Sequence, residues 1–200
     1  MKNLLVLIAL CHFTCGFSQK AYDETAVLDF HNEINAQFSD SLTSPLLRED
    51  FQQFRGLDFF PPNANFFVIA NFKRTPKEQP FEMKTSTDRL PIYVKYGEIT
   101  FKVSGKQFKL NVYQNVELVQ KEGFEDYLFL PFSNLTSGKE TYVGGRYIDV
   151  KIPKGKTMVV DFNKAYNPYC AYNYKYSCPI VPLENDIGVP IYAGVKKFHD

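Results

Sequence analysis

The sequence predicts a mainly β protein: an antiparallel barrel or sandwich-like domain preceded by one or two N-terminal helices. Three observations lead there. Short apolar–polar alternations fill the chain from Gly56 onward, and turn residues separate them. A three- and four-residue apolar rhythm is confined to positions 22–40. The 19 Phe and 13 Tyr, with no Trp, suit a β core, because an aromatic ring fills the space between strands with a large apolar area per residue.

Residues 1–18 precede that pattern. Lys2 supplies a positive start, Leu4 to Leu10 is an unbroken apolar run, and Gly16-Phe17-Ser18 places small residues at −3 and −1 of a cut before Gln19. The run is far shorter than the roughly 20 residues of a bilayer span. The reading is a secretory signal peptide and an exported protein, periplasmic or extracellular, with no transmembrane anchor. Lipidation at Cys11 or Cys15 is the minor alternative, and the bulk of Leu10 disfavours it before Cys11. Cleavage leaves Cys170 and Cys178 as the cysteines and His31 and His199 as the histidines.

In the helical segment, 19–54, Val27, Phe30, His31, Ile34 and Phe38 form one stripe, on which His31 reads as a packed helix residue. Ser44-Pro45 starts a second helix, with Ser44 as cap and Pro45 in the first turn, where no N–H is needed; it ends near Arg55-Gly56. The β-rich part, 55–200, runs as follows. Phe66 to Phe72 is an apolar strand. Phe81, Met83 and Thr85 alternate with polar residues, as do Ile92 and Val94. Ile99, Phe101 and Val103, then Phe108, Leu110 and Val112, flank Ser104-Gly105 as a hairpin. Tyr127–Phe132, Arg146–Ile152 and Thr157–Phe162 are further strands, and Val189–Ala193 is a candidate last one. Helices do not alternate with these strands, so the sheet is antiparallel and folded or closed on itself.

Charge excludes one class of function. Lys plus Arg is 23 and Asp plus Glu is 22, too balanced for a nucleic-acid partner held by phosphate contacts. No nucleophile elbow or His-Glu-x-x-His run is present. No cofactor is indicated, and whether the chain is an enzyme is open. The ligand and the oligomeric state are open as well.

The chemistry-bearing residues crowd into 129–195. Glu140-Thr141-Tyr142-Val143-Gly144-Gly145-Arg146 reads in two ways. It can be an anion site, with glycine N–H groups and an Arg clamp, or a tight turn into a strand with Arg146 paired to Asp149 or Asp161. In the next block, Asp161, Asn163 and Asn167 can floor a pocket or simply order a polar loop. Tyr166, Tyr169, Tyr172, Tyr174 and Tyr176 would be its walls, offering flat faces for sugars, bases or aromatic ligands. Glu184-Asn185, in a segment punctuated by Pro179, Pro182 and Pro190, could reach back to that loop. Cys170 and Cys178 are candidates for a disulfide, for two free thiols or half of a metal site, or for a buried inert pair. No metal site is assigned.

These blocks resemble those of an uncharacterised, mostly bacterial family, domain of unknown function 1684. The resemblance rests on PFSNLTSGKETYVGGRY (131–147), DFNKAYNPYCAY (161–172), CPIVPLEN (178–185) and the Ala193-Gly194 end block. It implies a β-rich domain and no established activity. The chain departs from the family pattern at Ser133-Asn134, Ile180-Val181-Pro182, Asp186 and Val195. Three functions follow as expectations. The first is an exported small-ligand-binding or structural module. The second is a hydrolase-type enzyme using Asp161, Glu140 or Glu184 with Arg146. The third is a metal- or thiol-dependent protein using Cys170 and Cys178.

Overall fold

The computed structural model describes residues 21–199; the segment read as a signal peptide lies outside them. Helix α1 spans Glu24–Ser39 and is capped by Asp23, whose carboxylate accepts from the Ala26 N–H. It buries Val27, His31 and Phe38. Its other stripe members, Phe30 and Ile34, are half-buried. A six-residue α2, Arg48–Gln53, follows. It starts later than expected: Pro45 lies in the extended approach, and Leu47 occupies the cap position.

The strands are β1 Phe67–Arg74, β2 Phe81–Glu82, β3 Ile92–Val103, β4 Lys106–Asn115, β5 Tyr127–Asn134, β6 Arg146–Lys151, β7 Thr157–Asp161 and β8 Asp186–Ile187. They build one curved sheet, a half-barrel, in the order β6-β5-β4-β3-β1-β7, with β2 added to β3 and β8 to β5. All pairings are antiparallel except β5 with β8. The hairpin at Ser104-Gly105 joins β3 and β4 as the alternation predicts, and both turn residues have positive φ. The two runs read around Ile92 and Ile99 are one strand, β3, with a bulge between Lys95 and Gly97.

Two expectations change. Met83 and Thr85 do not extend β2, which is two residues long; Thr85 makes an isolated bridge to Pro179 instead. Val189–Ala193 is not a strand. Pro190 has no N–H to donate, and the Ile191 and Ala193 carbonyls bond the Arg146 guanidinium rather than a neighbouring strand.

The sheet separates two cores. Its inner face carries Ile99, Phe101, Leu110, Leu128, Leu130, Phe132, Ile148 and Val160, closed by Phe162 and Ile191. The opposite face of β3–β6 carries Tyr93, Tyr113, Phe129 and Tyr147. Because strand side chains alternate, β5 contributes Leu128 and Leu130 to one core and Phe129 to the other. A third cluster, with Phe38, Leu46, Leu57, Tyr172 and Val195, fastens the helices to the C-terminal chain.

Candidate ligand-binding site

The second face of the sheet is only partly filled. Helix α1 and the segment 166–179 lie over it, and between them and the strands is a cavity of about 520 Å³. That is ample for a small organic ligand. Each wall follows from local structure. Phe30, Glu33, Ile34 and Gln37 repeat at helical spacing, so one face of α1 points into the space. Tyr127 and Phe129 alternate out of the main core on β5, as Tyr147 and Asp149 do on β6. Tyr166, Tyr169, Tyr172 and Tyr176 come from the covering segment. Tyr166 is pinned by a backbone exchange with Tyr147, N–H to carbonyl in both directions at 2.9 and 3.0 Å.

Asp149 is the chemical centre of this space. It sits opposite Phe129 in the β5–β6 register, with Tyr127 one position diagonal. Its Oδ1 accepts from the Tyr166 hydroxyl at 2.6 Å and from Tyr127 at 2.8 Å. The residue is solvent-accessible through the cavity, yet it lies deep among protein atoms. Burial raises its carboxyl pKa, and the two tyrosine hydrogen bonds pull the other way without cancelling the rise. Burial first, and then the Asp149 charge, raise Tyr127 and Tyr166, so both hydroxyls stay protonated donors. Tyr147 donates its hydroxyl to the Pro179 carbonyl.

Cys178 lines the same cavity, with Cys170 behind it. Both thiols are free. The Cys170 N–H donates to Cys178 Sγ at 3.1 Å, and Tyr142 Oη is 3.9 Å from Cys170 Sγ. A hydrogen bond from the Cys178 thiol, with help from Tyr142 and Ser86, pulls the Cys170 pKa down to about 6 despite burial. The same bond, and burial, push Cys178 up. Among the described residues, no group of three or more His, Cys, Asp or Glu stands ready to hold a metal.

A family model described as "Protein of unknown function (DUF1684)" matches residues 52–196. The chain belongs to that family. The DUF1684 span holds the sheet and the covering segment but begins after α1, so Phe30, Glu33 and Gln37 lie before it. The chain is also similar to an uncharacterised protein of Haloarcula marismortui solved by solution NMR. Identity is 29%, with 86% of this chain and 93% of that chain covered and a TM-score of 0.68. No curated protein matches.

The structure distributes the sequence-derived candidates unevenly within this DUF1684 fold. Tyr166, Asn167 and Tyr172 line the cavity, as do Tyr169, Tyr176 and Cys178. Tyr174 does not and is 84% exposed. Asp161 and Asn163 are tied up elsewhere. Asp161 accepts from the Asn163 N–H and amide, and Asn163 makes a two-point clasp on the Asn63 backbone. Glu140 is exposed beside a second recess that includes Asp58 and Lys196. Tyr142 packs its ring against Gly144 and points its hydroxyl at Cys170. Glu184 is exposed and accepts from Tyr113 at 3.3 Å. Asn185 is fully buried and bonds the Asn111 backbone N–H and C=O and the Pro131 carbonyl.

Arg146 departs most from expectation. It is fully buried, and its guanidinium donates to the carbonyls of Ile191, Ala193 and Val195. The turn reading of Gly144-Gly145 holds: Gly145 has φ +82°, and a Cβ there would lie 2.6 Å from the Phe132 carbonyl oxygen. The expected pairing of Arg146 with Asp149 or Asp161 is not seen, because Arg146 alternates to the opposite face of β6 from Asp149. Arg146 donates to backbone carbonyls and lines neither recess, so the anion clamp and the Asp161–Arg146 hydrolase set are not assembled. The residues that sequence reasoning missed are Asp149, Tyr127, Tyr93, Tyr147, Glu33 and Gln37. One signal was present: a carboxylate between Ile148 and Val150, flanked on its own face by Tyr147.

Proposed function

We propose that the chain is an exported small-ligand-binding module whose ligand enters the cavity between α1, the Tyr166–Pro179 segment and β5–β6. The observation that carries this reading is geometric: Asp149, with two tyrosine hydroxyls on its Oδ1, opens on an aromatic-lined cavity of about 520 Å³. A carboxylate held by fixed donors on the wall of a concave, mostly apolar pocket is a mark of a binding site. Export is supported by residues 1–18, and the mature chain then begins at Gln19. The catalytic alternative is disfavoured by the dispersal of Asp161, Glu140, Glu184 and Arg146.

The test is a thermal-shift screen of monocyclic aromatic alcohols, aromatic amines and monosaccharides on the chain isolated with Gln19 at its N-terminus. Gln37→Trp, on the exposed mouth of the cavity, is the blocked control. Fragments should raise Tm in the native chain and lose that shift in Gln37→Trp. A screen without binders, or binders indifferent to Gln37→Trp, rejects the reading.

A further inference from the structure

The polarity of the cavity narrows what can occupy it. Of its lining side chains, Glu33 and Asp149 are acidic and none is Lys, Arg or His, although the whole chain carries 23 Lys and Arg. Lys151, the next residue on that face of β6, is paired with Asp126 at 3.2 Å. The tyrosine protons around Asp149 are committed: Tyr127 and Tyr166 donate to Asp149, and Tyr147 donates to Pro179. Both donors to Asp149 converge on Oδ1. No hydrogen bond reaches Oδ2 among the described residues. Around Asp149 the recess therefore offers ring faces and an open carboxylate oxygen.

An anion would meet two carboxylates and no countercharge. A neutral ring would fill the space but leave Oδ2 desolvated and unpaired. A cation satisfies both demands, with charge against Oδ2 and hydrocarbon against aromatic faces. We propose that the ligand is a small organic ammonium compound, its nitrogen at Asp149 Oδ2 and its carbon framework between Tyr127, Tyr147, Tyr166 and the α1 wall. Glu33 at the cavity edge adds attraction at longer range. This rests on the small-ligand reading and deepens it.

Three probes of similar shape separate the possibilities by calorimetry at neutral pH: 2-phenylethylammonium, 2-phenylethanol and phenylacetate. The ammonium should bind about tenfold tighter than the alcohol, and phenylacetate should bind weakest. Asp149→Asn keeps the shape and an acceptor for both tyrosines; it should erase the ammonium's advantage and leave the alcohol's Kd unchanged. Glu33→Gln, on an exposed helix position, should reduce that advantage only about twofold. Equal binding of ammonium and alcohol, both blocked by Gln37→Trp, overturns the ammonium assignment and keeps the binding cavity. An ammonium preference that survives Asp149→Asn overturns it too. Failure of all three probes overturns the assignment and the small-ligand reading together.

Discussion

Arg146 shows how one side chain can look catalytic and be structural. Burying a guanidinium costs several kcal/mol, and hydrogen bonds to a charged donor return about 1.5–3 kcal/mol each. Three carbonyl acceptors are enough to hold it. Burial lowers its pKa to about 9, which leaves it charged at neutral pH. Arg146→Met would strand those carbonyls in the interior. It should cost at least about 3 kcal/mol in urea unfolding. A smaller loss would mean the C-terminal chain is held by packing alone. The cysteines give a second test at this scale. The rate of Cys170 alkylation by iodoacetamide should rise with a midpoint near pH 6. Cys178→Ala, which deletes the hydrogen-bond donor, should move that midpoint up toward the ordinary thiol range. Ellman titration of the chain purified without reductant decides whether the pair closes as a disulfide; two reactive thiols before reduction would reject that closure.

Among the elements, β4 and β5 expose a problem that the sheet order conceals. Their ladder shares the single pair Tyr113–Phe129, so neighbouring backbone groups lack strand partners. Asn185 replaces the missing ladder, because its amide both donates and accepts like a peptide group. It bonds the N–H and C=O of Asn111 on one side and the Pro131 carbonyl on the other. Asn185→Ala should therefore cost about 2–3 kcal/mol, read by chemical denaturation, and should leave ligand affinity unchanged once the folded fraction is corrected. A loss below about 0.5 kcal/mol would show that the strands close without it. The helix α1 was legible in its stripe. That stripe has two uses, however: Val27 and His31 pack, Phe30 and Ile34 face the cavity, and the buried Phe38 does both. His31 stacks on Phe59 with ring centroids 3.8 Å apart and hydrogen-bonds the Asn163 carbonyl at 2.8 Å. Periodicity marks a buried face and cannot say whether the space beneath it is full.

Across the whole molecule, three of the four sequence blocks that carry the family resemblance converge on one latch. Gly145-Arg146, Phe162 with Ala165, and Ala193–Val195 are far apart in the chain and meet where the C-terminal segment crosses the sheet. Gly194, at φ +75°, passes so close that a Cβ would lie 2.6 Å from the Ala165 carbonyl oxygen, and the Val195 N–H donates to that same carbonyl. The latch holds the Tyr166 segment over the second face and so creates the cavity. Stability and binding are then opposed at Asp149. An unfolded Asp carboxyl titrates near 4, and burial raises that value in the fold. Between the two values the folded chain holds a proton that the unfolded chain has released, so this group's contribution to stability falls as pH rises through the window, and the deficit remains above it. Asp149→Asn should raise Tm at pH 7, a gain that disappears below about pH 4. A variant less stable than the native chain at pH 7 would show that the tyrosine hydrogen bonds outweigh the burial cost.

Local pattern determined much of this protein. Alternation with period two, the Ser104-Gly105 turn and the helical stripe specify the β fold with its leading helix, because secondary structure follows from side-chain periodicity and turn chemistry along a few residues. The crowding of tyrosines between 166 and 176 pointed to the covering wall for the same reason. Tertiary structure decided which polar residues face the cavity. Arg146 and Asp149 are three residues apart on one strand, yet one is sealed beneath three carbonyls and the other opens on a cavity. Strand alternation separates their faces, but what covers each face comes from segments distant in sequence: 191–195 over the first, α1 and 166–179 over the second. Burial, and with it the role of a charge, is a property of that long-range packing.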